Sequence, residues 1–181
     1  MTALIVAVAV AIGVAASATA SAQKAAAGAP PPPASPIVLV DSTGKAAARP
    51  LTDTLMLVAV TGGGVSAPAS IRPIYDADGR TASGLATWQS GGSVLFTSFD
   101  CTTGAHVSSP GNAGLRTTAQ VQTPDGIMLF VGAIGTPTTV AVHSILYGSG
   151  CSPVTVQQNG LVPVEASVNL TVAYPPPLSL Q

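Results

Sequence analysis

Two cysteines, two histidines and seven carboxylates are the first candidates for a base, an acid or a metal ligand. The carboxylates are Asp41, Asp53, Asp76, Asp78, Asp100, Asp125 and Glu165. Asp41, Asp76, Asp78 and Asp125 each lie within three residues of a glycine. Asp is favoured in such turns because its side chain bonds the nearby backbone. A glycosidase pair meets only in space, and the sequence nominates none. Asp76-Ala77-Asp78-Gly79 matches a fragment of a calcium loop, but Arg80 stands at the next ligand position and Leu85 stands twelfth from Ile74. A hairpin turn is the expectation there.

The histidines, His106 and His143, fall short of the three or four ligands that zinc takes if both cysteines are oxidised. His106 is expected in a solvated loop and His143 on the polar face of a strand. No serine stands in a G-x-S-x-G elbow, and Thr61-Gly62-Gly63-Gly64-Val65-Ser66 lacks the G-K-[ST] ending of a phosphate loop. The sequence therefore assigns no catalytic residue, no metal ligand and no cofactor. A sugar commonly stacks on aromatic rings, for which Trp88 with Tyr75 or Tyr147 is available, although a single Trp serves equally as core. The candidate binding surface is His106 and Asn112, in a polar loop spanning residues 102–114, together with Trp88.

Elements must position these groups, and composition limits what kind. Only 7% of the 181 residues are charged, against about 25% in an ordinary domain. The six basic residues, Lys24, Lys45, Arg49, Arg72, Arg80 and Arg116, are scattered, which makes nucleic acid a poor partner. Residues 1–22 form an apolar run ending in Ala20-Ser21-Ala22, the pattern of a secretory signal peptide. No basic residue precedes the run, and its length also suits an uncleaved anchor, the one route by which the chain would hold a membrane. Cleavage would leave about 160 residues, enough for one core. Residues 23–35, with four consecutive prolines, read as a polyproline linker. In an exported chain Cys101 and Cys151 are expected to pair, the alternative being two buried thiols.

Residues 36–174 read as one all-β domain, a mostly antiparallel sandwich or open barrel with one disulfide, because short strand-forming runs alternate with turn signals and no helical period occurs. A hairpin is expected at residues 37–45, a central strand at 54–60, and an edge or bulged strand around Pro68 and Pro73. Further strands are expected at 93–99, at 115–123 with alternate residues half-buried, at 127–131 and at 138–146. Residues 162–174 alternate over thirteen positions and predict a strand about 43 Å long. Residues 175–181 read as a Pro-rich tail. Asn169-Leu170-Thr171 is a formal glycosylation sequon.

Two pieces carry a resemblance. Val40-Asp41-Ser42-Thr43-Gly44-Lys45 and the stretch SVLFTSFDCTTGAHV at 93–107 resemble exported bacterial proteins of unknown function, which have a V-D-S-x-G-K hairpin and an F-T-S-x-D-C-T-G-like segment. This chain departs from the second pattern at Thr103. The resemblance implies an exported β-rich protein and brings no activity with it. The function expected is a non-catalytic secreted, periplasmic or cell-surface structural or binding module, with carbohydrate or another envelope protein as partner. Two alternatives stand beside it: a subunit of a polymeric surface fibre that donates its C-terminal strand, and a hydrolase whose carboxylates converge only in three dimensions.

Overall fold

The computed structural model describes residues 38–51, 57–109 and 116–181, all within one compact unit, Ser35–Gln181. The signal and linker segments, Asp53, Asn112 and the beginnings of the strands expected at 54 and 115 lie outside the described residues.

The domain is all-β and antiparallel, as the turn spacing predicts, but one of its sheets closes completely. The closed sheet contains β1 (Leu39–Val40), β2 (Ala46–Pro50), β3 (Leu57–Gly62), β4 (Val65–Tyr75) and β5 (Ala82–Trp88). The second sheet contains β6 (Ser93–Phe96), β7 (Ala105–Ser108), β8 (Thr118–Thr123), β9 (Gly126–Gly132), β10 (Thr138–Tyr147) and the 20-residue β11 (Gly150–Asn169). One helical turn, α1 (Leu170–Ala173), leads to β12 (Leu178–Leu180). β12 pairs with β1 on one side and β5 on the other, closing a six-stranded barrel in the order β1-β12-β5-β4-β3-β2. The second sheet runs β10-β6-β7-β11-β9-β8, and a further β10–β11 pairing makes a ring of four strands within it.

Local chemistry accounts for the joints. Gly63 and Gly64 have φ of 61° and 80° and make a two-residue hairpin between β3 and β4, the conformation that glycine alone adopts without strain. Asp41 accepts hydrogen bonds from the N–H of Thr43 and Lys45 and from the Thr43 hydroxyl, which fixes the β1–β2 turn. Thr123-Pro124-Asp125-Gly126 turns β8 into β9 as expected. The main core joins both sheets. Leu39, Val58, Val60, Ala69, Ile71 and Trp88 from the barrel pack in one cluster with Ile127, Leu129 and Val131 of β9.

Of the two alternatives for the proline-bearing strand the bulged one holds, and three other expectations are corrected. Pro68 lies within a central barrel strand, opposite Ala59 of β3. It is tolerated because β5 joins β4 only from Ile71 onward, so no β5 carbonyl awaits a proline N–H there. The predicted bulge does occur at Pro73, where the β4–β5 register shifts. The polar face of β8 is solvated only in part: Gln122 is exposed, but Gln120 is buried, its Nε2 donates to the carbonyls of Ser70 (3.0 Å) and Gln89 (2.9 Å), and its Oε1 accepts from Ser70 N–H. The amide thus stands in for the strand that the β4 edge lacks.

The long C-terminal strand stops at Asn169, whose Oδ1 caps α1 by accepting from Val172 N–H at 3.1 Å. Leu170 and Tyr174 are both buried and Val172 is 72% exposed. A spacing of four satisfies a helical turn as well as a strand, and the exposed Val172 shows which one applies. The sequon is consumed in the same joint, since Asn169 Nδ2 donates to Asp125 O and Thr171 Oγ1 accepts from Ile127 N–H. Finally, residues 178–180 are not a tail. Leu178 is fully buried, and the β12 strand completes the barrel.

Candidate functional site

The two cysteines form a disulfide with Cα atoms 5.9 Å apart, bridging the loop of residues 97–104 to the start of β11. That loop joins β6 to β7, and nearly every polar group in it has an assigned task. Thr97 N–H donates to Gly104 O at 3.1 Å, closing its base. Ser98 Oγ accepts from the N–H groups of Thr102 and Thr103 at 3.2 and 3.1 Å. Asp100 accepts from the Thr102 hydroxyl at 2.6 Å and from its N–H. Ser144, fully buried in β10, donates to Ser98 O at 2.6 Å and accepts from Cys101 N–H at 3.0 Å, tying the loop to the strand beneath. Cys101 holds a φ of 57°, which is uncommon for a residue with a Cβ; the disulfide and the Ser144 bond supply the constraint that keeps it there. Gly104 has a φ of 67°, and a Cβ at that position would run into the Thr97 side chain.

The one large side chain this rigid loop turns outward is Phe99. It is 64% exposed, and its ring stacks on His143 with centroids 4.5 Å apart and planes 25° from parallel. His143 Nδ1 is buried with no hydrogen-bond partner among the described residues. A loop whose backbone is pinned by a disulfide and by the side chains of Ser98, Asp100, Ser144 and His106, presenting one exposed ring, has little conformational entropy left to lose on contact.

The sequence candidates are not gathered at this site. His106 lies in β7 and donates from Nδ1 to Gly104 O at 2.8 Å, so it supports the loop from its far end. Trp88 is 2% exposed, with its Nε1 donating to Tyr174 O at 2.9 Å and its ring packed against that of Tyr174. It has no face on which a sugar could stack. Tyr75 is exposed, but it pairs across from Ala82, six residues and about 20 Å along β5 from Trp88. Tyr147 is exposed in the other sheet. Asn112 lies outside the described residues. Phe99 and Ser144 carried no motif, since a Phe at the end of a strand reads as core and a Ser within one reads as filler.

The carboxylates serve turns. The Thr81 hydroxyl and N–H, with Arg80 N–H, hold Asp78 down to a pKa of about 2. The Thr43 hydroxyl lowers Asp41, and the Thr102 hydroxyl lowers Asp100. Glu165 pairs with Arg116. Among the described residues no three His, Cys, Asp or Glu side chains are placed to hold a metal ion, and no helix is long and apolar enough to cross a membrane. An open cleft of about 480 Å³ on the barrel is lined by Ala46, Ala47, Ala48 and Ala59 with Arg49 and Tyr174, and Arg49 is its one charged lining residue among the described residues.

A pH dependence follows from the lowered carboxylates. Each binds a proton less readily folded than unfolded, where Asp titrates near about 3.9, so its contribution is full above that value and disappears as the folded group is protonated. The melting temperature should hold steady above about pH 5 and fall between about pH 4 and about pH 2, and Asp78→Asn should remove part of that fall. An acid limb of the melting curve that D78N leaves unchanged would show that Asp78 has no such role. Compared with protein families, curated proteins and solved structures, the chain matches none. Fold and site define it as an all-β, disulfide-stapled domain with a closed barrel.

Proposed function

We propose that the chain is an exported, non-catalytic binding module that engages a component of the cell envelope, a polysaccharide or another envelope protein, through the stapled loop around Phe99. The observation that carries this reading is the exposed Phe99 ring on a loop immobilised by the Cys101–Cys151 bridge. The bridge itself belongs with an oxidising compartment, and the apolar N-terminal run with export. The low charge of the domain suits a neutral, hydroxyl-rich partner, for which an aromatic face supplies stacking and apolar contact.

The test is a binding assay against polysaccharide and protein fractions of the host envelope, comparing the full chain with Phe99→Ala and Tyr75→Ala. F99A should weaken binding at least about tenfold, the loss of roughly 1.4 kcal/mol of contact, with an unchanged melt. Y75A removes an equally exposed ring from the barrel and should bind like the parent. Equal binding by all three, or substrate turnover by any fraction that depends on Asp100, would overturn the reading.

A further inference from the structure

The two ends of the bridge are held differently. Cys151 sits within the β10–β11 ladder opposite Leu146, between Gly150 opposite Tyr147 and Ser152 opposite Ile145, so strand pairing fixes its backbone whether or not the bridge is closed. Cys151 is also exposed. Cys101 is half-buried and packs against the cluster that contains Val94, Phe96 and Val107. It lies in the loop between β6 and β7, where the bridge and the Ser144 hydrogen bond hold its left-handed backbone.

A disulfide opens when a thiolate attacks one of its sulfurs and expels the other, so access decides which sulfur is attacked. Here the accessible one belongs to Cys151. Charge acts in the same direction. Asp100, next to Cys101, is kept ionised by the Thr102 hydroxyl and repels an anion approaching that end of the bridge. Around Cys151 the sequence carries no such group, since no Asp or Glu occurs between Asp125 and Glu165.

We propose that Cys151 is the site at which an exported dithiol opens the bridge and so releases the Phe99 loop. One thiolate of the dithiol attacks Cys151 Sγ, forming a mixed disulfide there and expelling Cys101 as a thiolate that takes a proton from water. The second thiol, as its thiolate, attacks the dithiol's own sulfur in that mixed disulfide and expels Cys151, which is protonated in turn. The chain gains two electrons and two protons, and the dithiol becomes a disulfide. Held then by Ser144 alone, Cys101 can leave its φ of 57° for a more populated region, and Phe99 loses its fixed place on His143. The β6–β7 and β10–β11 pairings persist on either side of the opened bridge, so the reduced chain keeps its sheets. That release of the loop switches binding rests on the reading of Phe99 as the contact; exchange at Cys151 does not.

The experiment treats the oxidised full chain, without denaturant, with glutathione, a monothiol that forms the first adduct and cannot complete the second step alone. After an acid quench and capping of the released thiol, mass spectrometry should find glutathione on Cys151 at least about tenfold more often than on Cys101. Dithiothreitol should reduce the folded chain at a rate proportional to its concentration and unchanged by guanidinium below the unfolding transition. The far-ultraviolet spectrum should be retained, and the Phe99 and His143 ring signals should move toward those of unstacked rings. Adducts on Cys101 as often as on Cys151, reduction that proceeds only with unfolding, or unchanged ring signals in the reduced chain would each overturn the proposal. None of these readouts uses an envelope ligand, so they are independent of the Phe99→Ala comparison that decides the binding reading.

Discussion

Removal of the last four residues, Leu178-Ser179-Leu180-Gln181, should unfold the domain. The segment takes with it the β12 pairings to Leu39, Val40, Leu85 and Ala86, and the reciprocal backbone bonds between Val38 and Gln181 at 3.0 and 2.9 Å. It also empties the fully buried site of Leu178. A buried Leu→Ala change alone costs about 2–5 kcal/mol, and a domain of this size has about 5–15 kcal/mol in total. Loss of the whole strand also opens two barrel edges at once. Circular dichroism of the truncated chain should show no cooperative melt, and Leu178→Ala should melt roughly 10 °C below the parent. A truncated chain that melts like the parent would mean that the barrel does not need β12. The same engagement bears on a fibre built by donating the C-terminal strand, because Leu170, Tyr174 and Leu178 already fill the protein's own core.

The second large effect belongs to the disulfide. Cys101 and Cys151 are 50 residues apart, a loop whose closure is worth about 4 kcal/mol through restriction of the unfolded chain. The double variant Cys101→Ser/Cys151→Ser should melt roughly 10 °C below the parent while retaining the far-ultraviolet signature of the sheets. Its loop should also lose amide protection at positions 101 and 102, because a left-handed residue held by Ser144 alone opens more readily. A melt within a degree or two of the parent's would show that the bridge constrains nothing the strands do not already hold.

The all-β class, most strands, the turns at 41–45, 76–81 and 123–126, and the disulfide were legible in the sequence, because each rests on local chemistry: alternation, turn residues and two cysteines behind an apolar N-terminal run. What escaped it depended on partners far away in the chain. Gln120 looked like one member of a solvated face, and only the missing neighbour of β4 gives its amide three backbone partners. Pro68 looked like an edge marker, and only the late start of the β4–β5 pairing makes room for it. The spacing of Leu170 and Tyr174 fitted two periods, and the Asn169 cap decided between them. The candidate site shows the same division. The staple was legible, but the ring it presents was not, because nothing in the string Ser98-Phe99-Asp100 separates an outward Phe from a buried one.

On the proposed reading, the disulfide is a constraint whose product is a rigid recognition surface. Chemical-shift mapping of the oxidised full chain, titrated with soluble polysaccharide from the host envelope and then with its envelope protein fraction, tests that most directly. One of the two should perturb the Phe99 and His143 ring signals and the amides of Asp100, Cys101 and Thr102, and reduction of the bridge should abolish the response. Perturbations confined to the barrel, or a response that survives reduction unchanged, would contradict it.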